Sequence, residues 1–193
     1  MRPVTLPDYL SFGVRILSIG LNPSLPSVRA GVYFANPRNR FWTALVRAGF
    51  DSVGEGGTIR PSVKQLAQLT HQGAMGFTDV VKRPTKGGAD LVAEDFRRWT
   101  PILRAKVLLY RPKIAWFHGR VACTQFYRFG PAQGERAARE ARGAVVWGRQ
   151  AWCIGSVPVF VSPNPSSANA AFSLDALAQS YREMLELVRE LEG

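Results

Sequence analysis

The chain has 193 residues, 46% of them hydrophobic, 11% aromatic and 20% charged, a composition that can bury a substantial core and excludes a disordered protein. Its 25 Lys plus Arg outweigh 14 Asp plus Glu, giving a formal net charge of +11. That excess points to a polyanionic partner, nucleic acid ahead of an anionic membrane surface, because neutralising phosphates releases condensed counterions; a merely solvated basic surface is the alternative.

In chain order, the apolar run from Arg15 to Gly20 predicts a first strand, which ends in Leu21-Asn22-Pro23-Ser24. Phe41, Trp42, Leu45 and Val46 form an apolar helical face that stops at Gly49, and Ser52 to Pro61 reads as a Gly-rich loop. Val63, Leu66 and Leu69 repeat at helical spacing between Ser62 and Gly73. Phe77 to Val81 predicts a second strand, followed by a loop from Arg83 to Asp90 that contains Pro84-Thr85-Lys86-Gly87-Gly88. Asp90, Glu94 and Asp95 suit a helix start, where acidic side chains favour the dipole. Thr100-Pro101 reads as an N-cap with proline at the first helical position, leading into Leu103, Val107 and Tyr110. Lys113 to His118 predicts a third strand, Gly134 to Gly143 an exposed basic segment, and Val157 to Ser162 a fourth strand. Ser173 caps a final helix whose apolar face is Leu174, Leu177, Tyr181, Leu185, Val188 and Leu191.

Strands this apolar suit a parallel sheet covered on both faces. The expected fold is therefore a three-layer α/β/α sandwich around a mostly parallel four-stranded sheet, one domain over residues 1–193, with its site in loops at the carboxyl ends of the strands. Two cysteines without a C-x-x-C pair and two histidines cannot build a four-cysteine iron–sulfur site or a structural zinc site, so neither a metal nor another cofactor is expected. No run of about 18 apolar residues and no basic, apolar leader is present, and unpaired cysteines fit a reducing cytoplasm, the expected location.

Two stretches share one grammar: a strand that runs into Asn-Pro-Ser, first at Asn22 and again at Asn164-Pro165-Ser166. Asn22, with its backbone direction fixed by Pro23, is a rigid mount for one amide, which can orient a water but cannot take up its proton. An Asx-turn at a strand end is the alternative reading of either asparagine. Two such loops suggest one cleft, in which small residues and the hydroxyls of Ser166 and Ser167 can meet a phosphate.

The chain resembles the mismatch-specific uracil and thymine DNA glycosylases of the uracil-DNA glycosylase superfamily. The resemblance rests on Gly20-Leu21-Asn22-Pro23-Ser24, on the run from Gly31 to Trp42 (GVYFANPRNRFW), on Phe77 to Thr85 (FTDVVKRPT), on Trp147-Gly148-Arg149-Gln150, and on Asn164-Pro165-Ser166. It implies hydrolysis of the N-glycosidic bond of a flipped-out base in double-stranded DNA carrying a G·U or related mismatch, by a monomer with no membrane role. It also implies that Asn22 positions the attacking water and that Phe34 stacks on the base. Backbone amides at Leu21, Ser24 and Phe34 would hold the base carbonyls, with Asn164 as the opposite wall. Asn39, Arg83, Ser166, Ser167, Ala168 and Asn169 are expected on the DNA-facing side.

Two positions depart from the family pattern. Where the bacterial relative has a bulky wedge this chain reads Ser167-Ala168-Asn169-Ala170, and Ala168 is too small to fill the hole left by a flipped base; either another residue, with Phe172 the candidate, plugs the stack or discrimination of the opposite guanine is weaker, and broader substrate tolerance than that of a strict mismatch reader is expected. Asp79 stands where Lys or Asn is common. It either shares catalysis with Asn22, as a base for water or an anion beside the cationic sugar, or it caps or pairs with Lys82 or Arg83. His118 and Trp99, Trp116 and Trp152 read as core residues, and Lys82 carries no sign of a Schiff-base role. A non-catalytic DNA-binding module and a small-nucleotide phosphohydrolase are the competing classes; the latter lacks a P-loop signature and a metal-binding carboxylate cluster.

Overall fold

The computed structural model describes residues 4–50, 61–130 and 144–193. Strand β1 (Ile16–Gly20) lies between β2 (Met75–Asp79) and β3 (Ile114–His118) in a five-stranded sheet completed by β4 (Gly148–Ile154) and β5 (Val157–Ser162), in the order β2-β1-β3-β5-β4. The first four in that order run parallel, and β4 closes the edge as an antiparallel partner of β5.

The four expected strands are all present, β2 beginning and ending two residues earlier than its apolar run suggested. The fifth, β4, carries Arg149 and Gln150 and buries only alternate residues, the pattern of a half-covered edge strand rather than of a continuous apolar run. The segments 51–60 and 131–143, which include most of the Gly-rich loop and nearly all of the basic stretch, lie outside the described residues.

Strand residues alternate between two cores. Ile16, Phe77 and Trp116 pack beneath α2 (Phe41–Arg47), α3 (Val63–His71) and a long C-terminal helix, α6 (Leu174–Glu190), through Phe41, Leu66, Leu69 and Tyr181. On the other face Leu17, Ile19, Phe117 and Val159 pack against α4 (Ala93–Tyr110) and α5 (Arg120–Phe129), through Phe96, Leu103, Val107 and Phe126. The layers are those expected for an α/β/α sandwich. Trp116 and Trp152 are buried as read, and Trp99 packs half-buried on the second core.

One helix start needs correction. Thr100 and Pro101 lie inside α4, which begins at Ala93, where the Asp95 carboxylate accepts from the Val92 N–H at 2.9 Å. Glu94 and Asp95 occupy its first turn, as their acidity suggested, while Asp90 ends a short 3-10 turn just before it. The Thr100 hydroxyl bonds back to the Phe96 carbonyl at 2.7 Å, so the residue that reads as a cap is satisfied within the helix. Two helices were not among the sequence expectations: α1 (Leu25–Ala30), capped by the Ser24 side chain, and α5, which buries Ala122, Cys123 and Phe126.

Candidate active site

At the carboxyl edge of β1, β2 and β3 lies a cavity of about 190 Å³, below the roughly 300–1,000 Å³ of drug-sized ligand sites. Its floor is Gly20. A methyl group there would stand 2.4 Å from Asp79 Oδ1, so only glycine leaves both the floor open and the Asp79 carboxyl in place. Gly20→Ala is expected to slow base excision at least about 100-fold, through displacement of the reacting geometry, with an unchanged far-UV CD spectrum; single-turnover kinetics checks it, and a rate near wild type would contradict the floor assignment.

Asn22 leaves β1 half-buried, with its NH2 group surrounded by acceptors: Thr85 Oγ1 at 2.7 Å, the Arg83 carbonyl at 3.1 Å and the Pro23 carbonyl at 3.4 Å. Carbonyls cannot donate, and the Thr85 hydroxyl already donates to the Gly87 carbonyl at 2.7 Å, so the amide orientation is fixed. Its Oδ1 receives no hydrogen bond from the described residues, and Asn22 lines the cavity. Pro23 at a strand end thus does more than make a turn: the loop after β2 returns to hold the amide.

Phe34 sits in the left-handed region, φ 57°, a strained conformation for a bulky side chain. Its ring stacks on Phe41 at 4.0 Å and 18°, and it lines the cavity. The loop is tied to α1 by the Ala35 N–H, which donates to Ser27 Oγ at 3.3 Å. The N–H groups of Leu21, Ser24 and Phe34 have no acceptor among the described residues, which leaves all three available to a ligand.

Asp79 ends β2, 5% exposed, with Oδ2 lacking a hydrogen bond. Burial pushes its pKa up to about 7, against the pull of the Lys82 ammonium 3.7 Å away. Lys82 is itself buried and committed elsewhere, donating to Asp8 at 2.8 Å and to the Tyr33 hydroxyl at 3.0 Å. Burial raises the pKa of Asp8, but Lys82 and Lys106 together hold it below the usual carboxylate range. Lys82 is not among the residues that line the cavity.

Asn164 lines the same cavity as Asn22, its Oδ1 accepting from the Ser166 N–H at 2.9 Å. The Asn164 to Phe172 loop is stapled by Arg40, whose guanidinium donates to the carbonyls of Ser166, Asn169 and Phe172. Arg40 was not singled out by the sequence; its position one residue before the helical face at Phe41 was the only signal. Within the loop the N–H groups of Ser166, Ala168 and Asn169 are taken up internally, while Ser167 and Ala168 stand exposed. Phe172 packs edge-on against Trp147 at 5.3 Å, with the Arg120 guanidinium 4.6 Å over the Trp147 ring.

Asn39 lines the cavity and accepts from the Phe41 N–H at 2.9 Å, so its carbonyl oxygen starts α2. The Arg83 guanidinium forks onto Asp95 at 2.6 and 2.7 Å, and Arg83 reaches the site through the carbonyl that holds Asn22. His118 closes β3, buried as read, but also borders the cavity.

A cavity at the carboxyl edge of a parallel sheet, between the loops that follow its strands, is where α/β folds of this class place their ligand sites. The fold is shared with the solution NMR structure of a candidate uracil DNA glycosylase from Methanosarcina acetivorans, with a TM-score of 0.57, 22% identity and 98% of each chain covered. The sequence model of the uracil DNA glycosylase superfamily matches residues 7–192, and the chain belongs to that superfamily. It is a DNA glycosylase, a hydrolase of N-glycosidic bonds that acts in DNA repair.

Proposed function

We propose that the protein is a monomeric, monofunctional, mismatch-specific uracil-DNA glycosylase that removes flipped-out uracil, and with it thymine or modified pyrimidines, opposite guanine and leaves an abasic site. The observation that carries this reading is Asn22, a residue lining the cavity whose amide is locked by Thr85 and the Arg83 carbonyl while its oxygen receives no hydrogen bond from the described residues. An oxygen so held orients a water at a sugar carbon whose glycosidic bond is already breaking, a task that needs placement more than basicity. Phe34 offers the stacking face, and the free amides of Leu21, Ser24 and Phe34 suit the negative charge that grows on the departing base. Asp79 adds an anion near the sugar once its proton is lost.

The loop after Asn164 bears on the substrate range. Ala168 is small and Phe172, the candidate replacement wedge, is packed on Trp147, so the loop brings little bulk to fill a vacated stack or to read the opposite guanine. A weakly paired G·U base is the easiest to extrude, and uracil in other contexts should be released as well, more slowly. Asn39, Ser166, Ser167, Ala168 and Asn169 form the DNA-facing rim on this reading, with Arg83 at its edge.

The test is incubation with chelator present and duplexes carrying one G·U, A·U or G·T pair, or a single-stranded uracil, followed by alkali. Strand breaks confined to the modified base, fastest at G·U, are the expected result. Binding without breaks would reduce the protein to a DNA-binding module, and an adduct trapped by borohydride would refute the monofunctional reading.

A further inference from the structure

His118 stands across the cavity floor from Asp79. Gly20 pairs with Asp79 on β2, and on the other side Ile19 pairs with Phe117, which brings His118 level with Gly20 on β3. The bond from His118 Nε2 to Ser18 Oγ, 2.8 Å long, places the imidazole on the face that Ser18 shares with Gly20. Phe34 and Phe41 both meet its ring edge-on at 5.1 Å. His118 is 2% exposed and borders the cavity, and its Nδ1 has no hydrogen-bond partner.

The Ser18 bond settles which nitrogen carries the proton. Were Nε2 the donor, the buried Ser18 hydroxyl would have no acceptor among the described residues and the Nδ1 lone pair would face no donor, leaving two functions unmatched. With Ser18 donating to Nε2, only Nδ1–H is left without a partner. Burial pushes the imidazole pKa down to about 3, so a second ring proton does not intervene near neutrality. A buried donor without a protein partner, on a residue that borders a ligand cavity, is matched when a ligand brings an acceptor.

Resting on the glycosylase reading above, we propose that His118 is a base-reading residue whose Nδ1–H donates to a ring carbonyl oxygen of the extruded base. It selects bases that present a keto edge at that point over bases that present an amino group there. Ser18 is its positioning residue, fixing the tautomer from behind.

The experiment uses the whole protein, labelled with 15N, and a duplex in which guanine faces 2′-fluoro-2′-deoxyuridine, whose electron-withdrawing fluorine slows bond cleavage so that a complex persists. The chain has two histidines, so the imidazole spectrum has two ring systems, and His71 on the exposed end of α3 serves as the internal control. The expected result is a displaced Nδ1 resonance for His118 and an unmoved His71; an unmoved His118 in the saturated complex overturns the proposal. A second arm compares 2-thiouracil and 4-thiouracil with uracil opposite guanine. Wild type should lose about 10-fold on one of the two thio substitutions, because sulfur accepts poorly, while His118→Phe should lose nothing further on that same substrate. Equal sensitivity in both proteins also overturns it, and should the variant not fold, the wild-type resonance decides. Failure of wild type to release uracil from any duplex defeats the glycosylase reading itself; release with a silent His118 defeats this inference alone.

Discussion

Asn22→Ala is expected to slow single-turnover excision of uracil opposite guanine by about 10²–10⁴-fold, the range that follows loss of a group acting on the attacking water. Duplex binding should hold within a few-fold, because the side chain is spent on Thr85, Arg83 and Pro23 and the rim residues are untouched. Asn22→Asp should not restore the rate: it would set a carboxylate oxygen where the NH2 now donates, 3.1 Å from the Arg83 carbonyl, and repulsion would turn the group away from its seat. Quenched-flow measurement with excess enzyme separates chemistry from product release. A rate for Asn22→Ala within a few-fold of wild type would remove the amide from the mechanism.

The strands that carry the site were readable because they are continuous apolar runs buried on both faces, and the sheet's parallel core followed from them. Strand β4 escaped because only Gln150, Trp152 and Ile154 face inward, and a half-buried edge with Arg149 in it looks polar. Thr100-Pro101 misled for a related reason: local cap grammar is satisfied equally by a helix interior in which the threonine bonds back to Phe96. Local sequence fixes which conformations are allowed, and burial chooses among them.

For the site, Asn22 and Asn164 were legible as strand-end residues next to proline, Phe34 through the family resemblance alone, and all three line one cavity. What holds them was not legible. Thr85 anchors Asn22 across 63 positions, Arg40 staples the Asn164 loop across more than 120, and Ser18 sets the His118 tautomer across 100. Contacts of that separation leave no periodicity to read. The lysine that reads as a neighbour of Asp79 illustrates the same limit: Lys82 donates its shortest bonds to Asp8 and Tyr33, and stands 3.7 Å from an Asp79 oxygen that has no hydrogen bond.

Asp79→Asn separates catalysis from scaffolding because its two effects carry opposite signs. On activity, loss of the anion should cost at least about 100-fold above neutrality, and the wild-type rate should rise with pH through about 7, where Asp79 ionises, while the variant loses that limb. On stability, the folded pKa of about 7 lies above the ordinary 3.8, so the native state binds the extra proton between those values. Wild-type stability therefore falls as pH rises from 3.8 to about 7 and stays reduced above it. A tenfold change in proton affinity is worth about 1.4 kcal/mol, so ionising this buried carboxyl costs the fold a few kcal/mol. Asparagine cannot ionise, and Lys82 keeps Asp8 at 2.8 Å, so the substitution strands no buried ammonium. Thermal midpoints should accordingly be higher for Asp79→Asn than for wild type at about pH 8 and converge near pH 4. A variant slower and more stable under the alkaline condition identifies Asp79 as a carboxylate that the fold keeps against its own stability for the reaction. A variant slower and less stable identifies a partner of Lys82 whose loss merely loosens the site.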